Sequence, residues 1–144
     1  MLTGMKVLVF GVFDRFHEGH KNFLRQARTY GEKLIVVVAP DHIAHKLKDK
    51  HPQWDEIRRV EHVQAFDPEA EVVLGDDEQG SYEVIHTYVP DVICLGYDQD
   101  VLGRDLEKKM AQGIIPTLPI IELRPHLPEL YKSSLIAAHI EPGA

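Results

Sequence analysis

The stretch MKVLVFGVFDRFHEGH, from Met5 to His20, decides the fold because it joins a buried strand to a helix. Its first seven residues form a short apolar run that Gly11 closes, which is typical of a strand buried within a sheet. Residues 17–30 then carry apolar side chains at helical spacing, and Gly31 is a suitable stop for that helix. The sequence therefore predicts a strand whose carboxyl end turns directly into a helix.

Strand and helix patterns alternate along the rest of the chain. Apolar runs predict further strands at 33–40, 70–75, 91–96 and 117–123. Pro119 gives the last of these strands either an edge position or an irregular start. Helices are predicted between the strands, at 41–48, 54–65, 81–88 and 101–112, and a last helix follows Ser133 or Ser134.

This alternation predicts parallel βαβ units with right-handed crossovers. We expect an α/β fold made of one doubly wound, Rossmann-like domain over residues 1–144. Its sheet would be mostly parallel, with about five strands and with helices on both faces. The expected N-caps include Asp41 and Ser81. The third helix is expected to place Trp54, Ile57 and Val60 on its inner face, together with Val63 or Ala65. In such sheets, ligands bind beyond the carboxyl ends of the strands, where the strand order reverses.

Composition restricts the class of protein and its partners. The apolar runs are too short to span a bilayer and the first residues lack a signal-peptide pattern, so we expect a cytoplasmic protein without a membrane partner. The single cysteine, Cys94, excludes an intramolecular disulfide and is expected to be a buried, inert thiol. A net charge of -7 argues against a nucleic-acid partner.

The charge is distributed unevenly along the chain. Residues 1–60 carry 11 Lys and Arg against 7 Asp and Glu, whereas residues 61–144 carry 5 against 16. A basic first half in an acidic protein is consistent with a local positive pocket for a small anion. Chance alone also produces such an asymmetry, so it supports an anion site only together with other signals.

The junction after the first strand carries the residues that point to phosphate binding. Gly11 lets the backbone turn sharply, and Gly19 leaves out a side chain that would block a ligand. The helix begins near His17, where free backbone N–H groups and the helix dipole favour an anion. Because His17 and His20 are three residues apart, we expect both rings on one side of the first turn, as an exposed pair of donors for phosphate oxygens.

Two other interpretations of this junction remain open. In the first, the histidines are ordinary surface residues and the glycines only form turns. In the second, His17, His20 and Asp14 bind a transition metal, although the spacing differs from the His-Glu-x-x-His pattern of zinc hydrolases. The segment also lacks the Gly-Lys-Ser/Thr of a Walker A loop and the Gly-x-Gly-x-x-Gly of dinucleotide-binding proteins.

Three stretches resemble the signatures of the cytidylyltransferase-like nucleotidyltransferases. GVFDRFHEGH is similar to their Thr/Ser-Phe-Asp-x-x-His-x-Gly-His signature. PDVICLGYDQ resembles the fourth-strand segment of the short branch that holds archaeal-type FAD synthetases and glycerol-3-phosphate cytidylyltransferases. YKSSLI resembles the second family signature, Ile-Ser-Ser-Thr-x-x-Arg, and the likeness as a whole runs from Val7 to about Ile136.

The resemblance implies transfer of a nucleoside monophosphate from ATP or CTP to a phosphate-bearing acceptor, with release of pyrophosphate. His17 and His20 would donate to the triphosphate, and Lys46 would contact the acceptor or the α-phosphate. Mg²⁺ would bridge the phosphates without a direct protein ligand. Asp14 would orient its loop, reach the metal through water, or cap its own turn. The further implied nucleotide- and phosphate-binding residues are Gly11, Val12, Phe13, Asp14, Gly19, Lys48, Arg58, Gly96, Tyr97, Asp98, Gln99, Lys132, Ser133 and Ser134.

Departures from the family pattern keep more than one function open. Val12 stands where Thr or Ser is usual, and the second signature lacks its Thr and its Arg. FMN and ATP giving FAD is the leading expectation, and its flavin would need a flat apolar slot that involves Phe13, Phe16 and Tyr97. The runner-up is glycerol-3-phosphate with CTP, and the alternative from another class is a nucleotide-binding module that has lost catalysis. The resemblance also implies a homodimer.

Overall fold

A computed structural model describes residues 4–48 and 50–125, except for the side chain of Lys48. The strands within these residues are β1 (Lys6–Gly11), β2 (Lys33–Val38), β3 (Glu71–Leu74), β4 (Val92–Leu95) and β5 (Ile120–Glu122). The helices within them are α1 (Glu18–Arg28), α2 (Asp41–Lys48), α3 (Glu56–Phe66), α4 (Glu83–Tyr88) and α5 (Asp100–Ala111). No described helix is long and apolar enough to cross a membrane.

The strands form one parallel sheet in the order β3-β2-β1-β4-β5. The central strand β1 pairs with β2 on one side and β4 on the other, so that Val9 lies between Val36 and Cys94. The chain first builds outward from β1 to β3, then crosses back to β4, and the strand order therefore reverses between β1 and β4. This reversal places the expected ligand site at the carboxyl ends of these two strands.

Apolar side chains fill both faces of the sheet, which confirms the doubly wound architecture. On one face, Val7 and Val9 of β1 belong to a core with Leu24 of α1 and Val63 of α3. On the other face, strand residues join a core that includes Ile85 of α4 and Leu106 of α5. Burying each such side chain contributes about 1.5–3 kcal/mol, so packing against both faces stabilises the sheet more than strand propensity does.

Cys94 lies in the middle of β4 and is fully buried. Burial raises the pKa of its thiol to about 12, because the thiolate would lose its hydration in the core. The expectation of a buried and inert thiol is therefore confirmed.

Pro119 immediately precedes β5, which is one of the two edge strands that the described residues form, in agreement with its expected edge position. Two predicted helix caps are wrong. Asp41 lies inside the first turn of α2, and its carboxylate accepts a hydrogen bond from Arg59. Ser81 does not cap α4, because its hydroxyl donates to the Asp76 carboxylate. The N-cap of α4 is Tyr82, whose backbone is in the left-handed conformation. The last predicted helix, after Ser133 or Ser134, lies outside the described residues.

Candidate active site

The histidine pair stands at the N-terminus of α1, directly beyond β1. His17 is the N-cap, and its Nδ1 accepts from the backbone N–H of Gly19 at 3.1 Å. The backbone N–H of His17 in turn donates to Nδ1 of His20 at 3.2 Å, which completes a reciprocal capping box. The rings stack with their centroids 3.8 Å apart, so the expectation that they share one side of the first turn is confirmed.

The hydrogen bonds of the pair also assign its protons. Because Nδ1 of both rings accepts from a backbone N–H, the neutral form of each ring carries its proton on Nε2. Each neutral ring therefore carries an Nε2–H group within the first turn of α1, where the helix dipole is positive, and Nε2 of His20 is buried. Donors and a helix N-terminus together form an arrangement that suits phosphate oxygens.

The two histidines differ sharply in exposure, which corrects the expectation of an exposed pair. His17 is exposed, whereas His20 is only 3% exposed. The His20 ring stacks on Phe16 at 5.7 Å and meets the edge of Phe13 at 5.5 Å, measured between ring centroids. His20 is thus a part of the packing that holds the loop between β1 and α1.

Gly11 is required by the ring of Phe13. Phe13 has a positive φ of 56°, which an L residue rarely adopts, and this turns its buried ring back over Gly11. A Cβ at residue 11 would lie 2.6 Å from two carbons of that ring. The glycine at the end of β1 therefore sets the path of the loop that leads to His17.

Replacing Gly11 by alanine will destabilise the protein by about 1–3 kcal/mol, because the new methyl group must displace the ring of Phe13. Urea denaturation followed by fluorescence measures this change. A Phe13→Leu background removes most of the clash, so the same substitution should cost clearly less there. An equal cost in both backgrounds would show that the contact with the ring is not the cause.

A cavity of about 690 Å³ opens at the point where the strand order reverses. Its volume lies within the roughly 300–1,000 Å³ range of small-molecule sites. The sequence-predicted residues that line it come from both the first signature and the segment after β4: Gly11, Val12, Phe13, Gly19, His20, Tyr97, Asp98 and Gln99. The pairing of β1 with β4 is what brings these two distant stretches together.

Gln99 joins the end of β1 to the segment after β4. Its Nε2 donates to the carbonyl oxygen of Phe10 on β1 at 3.0 Å, and its Oε1 accepts from the backbone N–H of Gly96 at 2.8 Å. Gly96 leaves the space that the turn needs, because a Cβ there would lie 3.0 Å from an oxygen of Asp98. The GYDQ stretch therefore shapes the cavity at the edge of β1 through both side chains and backbone.

Sequence reasoning missed the other wall of the cavity. It consists of apolar side chains from α2 and α5, including Ile43, Leu47, Val101 and Leu102. Leu47 is 53% exposed and Val101 is 74% exposed, which is unusual for such side chains in a helix. Three polar residues, Tyr82, Asp105 and Lys109, also line this wall.

Several predicted site residues do not line the cavity, and these include His17, Asp14 and Gly96. Lys46 is exposed on α2 and does not contribute to the lining, and the side chain of Lys48 is not described. Arg58 is exposed on α3, where its guanidinium lies 4.1 Å from the ring centroid of Trp54. The roles given to these residues stay predictions. The predicted C-terminal phosphate ligands, Lys132, Ser133 and Ser134, lie outside the described residues.

Arg59, the neighbour of Arg58, is the arginine that organises the site. Its side chain is fully buried and donates to the carbonyl oxygens of Val12 and Ala39 at 2.8 Å each and of Trp54 at 3.0 Å. It also pairs with the Asp41 carboxylate at 2.8 Å. Arg59 therefore ties the loop after β1 to the loop after β2 beneath the cavity.

Asp14 joins a third loop to this assembly. Its two carboxylate oxygens accept from the backbone N–H groups of Gln53 and Trp54, at 2.8 Å each. This arrangement matches the expectation that Asp14 orients its loop. Residues 4–48 and 50–125 contain no group of three or more His, Cys, Asp or Glu side chains that could hold a metal ion.

A family model described as cytidylyltransferase-like matches residues 8–135 of the chain. The chain belongs to this family. Its sequence is 38% identical over 128 residues to the FAD synthase of Pyrococcus horikoshii, covering 89% of this chain and 83% of that protein. It is also 38% identical over 108 residues to the FAD synthase of Thermoplasma acidophilum, covering 75% of each chain.

Solved structures agree with the assignment to the cytidylyltransferase-like family. A lipopolysaccharide core biosynthesis protein from Thermoplasma volcanium has a TM-score of 0.73 and 31% identity, over 83% of this chain and 95% of that one. A protein from Archaeoglobus fulgidus has a TM-score of 0.68 at 19% identity, over 83% and 89% of the two chains, which supports the fold alone. The chain is accordingly a nucleotidyltransferase, as its first signature predicts.

For a cytidylyltransferase-like enzyme, the geometry at the end of β1 has a direct chemical meaning. Nucleotidyl transfer needs positioning and neutralisation of the charge that grows on the phosphates. In the structure, the N-terminus of α1 carries both rings, and Gly19 and His20 line one side of the cavity. The apolar side chains of α2 and α5 line the other side of the same cavity.

Proposed function

We propose that this nucleotidyltransferase transfers the AMP part of ATP to the phosphate of FMN, producing FAD and pyrophosphate. The observation that carries the proposal is a single cavity that reaches from His20 to the apolar wall formed by α2 and α5. The relatives named FAD synthase support the same acceptor. Glycerol-3-phosphate needs only a small polar pocket and would leave Leu47 and Val101 without an apolar partner.

In the proposed reaction, an oxygen of the FMN phosphate attacks the α-phosphorus of ATP in line. The bond from the α-phosphorus to the bridging oxygen breaks as the new bond forms, and pyrophosphate leaves. His17 and His20 donate from Nε2 to the triphosphate, where negative charge grows on the leaving group. Val12 contributes no hydroxyl in this loop, so its backbone N–H takes the place of the usual Thr or Ser.

We propose Mg²⁺ as the accompanying metal. The described side chains form no group that could bind this ion by themselves, and the Asp14 carboxylate already accepts hydrogen bonds from Gln53 and Trp54. The ion would therefore arrive bound to the phosphates of the nucleotide. Mg²⁺ commonly keeps several waters and binds through substrate phosphates. When bound, it would neutralise charge on the triphosphate, and the residues that position the nucleotide remain those described above.

A pyrophosphate-release screen tests the proposed reaction. The screen crosses ATP and CTP with FMN, glycerol-3-phosphate and choline phosphate, each in the presence of Mg²⁺. We expect pyrophosphate with ATP and FMN, and FAD as the product by chromatography with mass detection. Faster turnover of CTP with glycerol-3-phosphate would assign the runner-up activity, and tight nucleotide binding without any turnover would indicate a non-catalytic module.

A further inference from the structure

A hydrogen-bonded triad of Tyr82, Asp105 and Lys109 lines the cavity on the α4 and α5 side of the sheet. The Tyr82 hydroxyl donates to Oδ2 of Asp105. Nζ of Lys109 donates to Oδ1 and Oδ2 of the same carboxylate, at 2.9 and 3.2 Å. The three residues belong to the opposite face of the sheet from α1, so they are separate from the histidine pair.

The protonation states of the triad follow from its contacts. The hydrogen bond from Tyr82 and the charge of Lys109 lower the pKa of Asp105, so this residue is a carboxylate at neutral pH. Burial and the neighbouring Asp105 raise the pKa of Tyr82, which therefore keeps its proton. The triad thus offers a fixed hydroxyl, an anionic acceptor and a cationic donor.

Helix stability alone does not account for this arrangement. An Asp–Lys pair at i, i+4 contributes little to the stability of a helix and does not need a tyrosine. Here Tyr82 is 7% exposed and held edge-on to Phe10, with ring centroids 6.1 Å apart. The ring fixes the hydroxyl against Asp105, and the apolar side chains of Val101 and Leu102 line the same cavity.

The triad retains capacity for a ligand. An ammonium group has three N–H donors, and among the described residues the hydrogen bonds of Lys109 go to the single carboxylate of Asp105. A carboxylate has about four acceptor positions, of which the hydroxyl of Tyr82 and the ammonium of Lys109 use only part. One further donor and one further acceptor are therefore available beside an apolar surface.

We propose that this triad binds the pyrimidine edge of the flavin ring of the acceptor, an inference that rests on FMN as the acceptor. That edge presents a ring N3–H between two carbonyl oxygens, which matches one acceptor and one donor of the protein. Lys109 donates to a ring carbonyl, Asp105 accepts from N3–H, and Tyr82 is a positioning residue for Asp105. The dimethylbenzene part of the ring lies against the apolar wall that includes Leu47 and Val101.

The first test replaces Lys109 by methionine, which keeps the length of the side chain and removes its donors. We expect the KM and the Kd for FMN to rise roughly tenfold, because a hydrogen bond from a charged group is lost. The KM for ATP should stay within about twofold, since ATP does not contact this residue. Lys108→Met is the matched control, because Lys108 is exposed on the same helix and does not line the cavity.

The second test changes the ligand and leaves the wild-type fold untouched. Flavin fluorescence compares binding of FMN with binding of N3-methyl-FMN, in which the N3–H donor is blocked. The wild-type enzyme should bind N3-methyl-FMN about tenfold more weakly than FMN, for the same loss of a charged hydrogen bond. In Asp105→Ala the acceptor is gone, and the two flavins should bind with similar affinity.

The outcomes separate this inference from the proposed function. If the wild-type enzyme makes no FAD and binds no FMN, both are overturned. Suppose instead that the wild-type enzyme makes FAD and binds both flavins equally, and that the Lys109→Met variant binds FMN as tightly as the wild type. The triad then does not bind the pyrimidine edge of the flavin, and the proposed function stands.

Discussion

Replacing His17 by asparagine lowers the rate of nucleotidyl transfer by about 10²–10³-fold, the typical effect of removing one donor to a developing charge. The choice of asparagine separates catalysis from folding. His17 is also the N-cap of α1, and Oδ1 of asparagine can accept from the N–H of Gly19 as Nδ1 does now. The Nε2–H donor is lost while the cap is kept. Single-turnover kinetics with saturating ATP and FMN measures the effect on the chemical step.

The control for this substitution is His86→Ala, because His86 is an exposed histidine on α4, away from the N-terminus of α1. It should retain full activity, and both variants should melt within a few degrees of the wild type. His20→Ala is a less selective variant, since it also removes a buried ring that packs on Phe13 and Phe16. Undiminished transfer by a folded His17→Asn enzyme would show that this ring does not act on the triphosphate.

The second large effect is on stability. Arg59→Met will lower the free energy of unfolding by about 3–5 kcal/mol, because it leaves partners of a buried charge unsatisfied. Those partners include the carbonyl oxygens of Val12 and Ala39, which belong to the loops on either side of the site. Chemical denaturation monitored by circular dichroism gives the difference directly.

The neighbouring arginine provides a matched control. Arg58→Met removes only an exposed stacking contact with Trp54, which is worth about 0.5–1 kcal/mol. The stability difference between the two variants therefore tests whether burial or mere position on α3 decides the effect. The activity of Arg58→Met also tests the phosphate-binding role that the family resemblance gives to this residue. Equal stability losses in both variants would show that the buried hydrogen bonds of Arg59 do not stabilise the protein.

The arginine pair shows where sequence reasoning reached its limit. The pattern of Trp54, Ile57 and Val60 predicted the inner face of the helix, but Ile57 is 58% exposed and Arg59 is buried. A polar residue can replace an apolar one on an inner face only when tertiary partners satisfy it. Those partners come from the loops after β1 and β2, which no local pattern brings together.

The parts that the sequence predicted well are those with local causes. The strands and the histidine pair at the start of α1 follow from apolar runs, glycines and helix-start signals within short windows. The burial of His20 depends instead on the positive φ of Phe13 and on the rings of Phe13 and Phe16 in the loop before α1. The wall of α2 and α5 was missed because its residues meet only through the sheet topology, more than fifty residues apart in sequence.

The most direct test of the central claim is a crystal structure with FMN and an ATP analogue that cannot be cleaved between the α- and β-phosphates. We predict that the triphosphate lies against the N-terminus of α1, with its oxygens within hydrogen-bond distance of the ring nitrogens of His17 and His20. A nucleotide bound elsewhere, with both rings out of contact with any phosphate, would contradict the account.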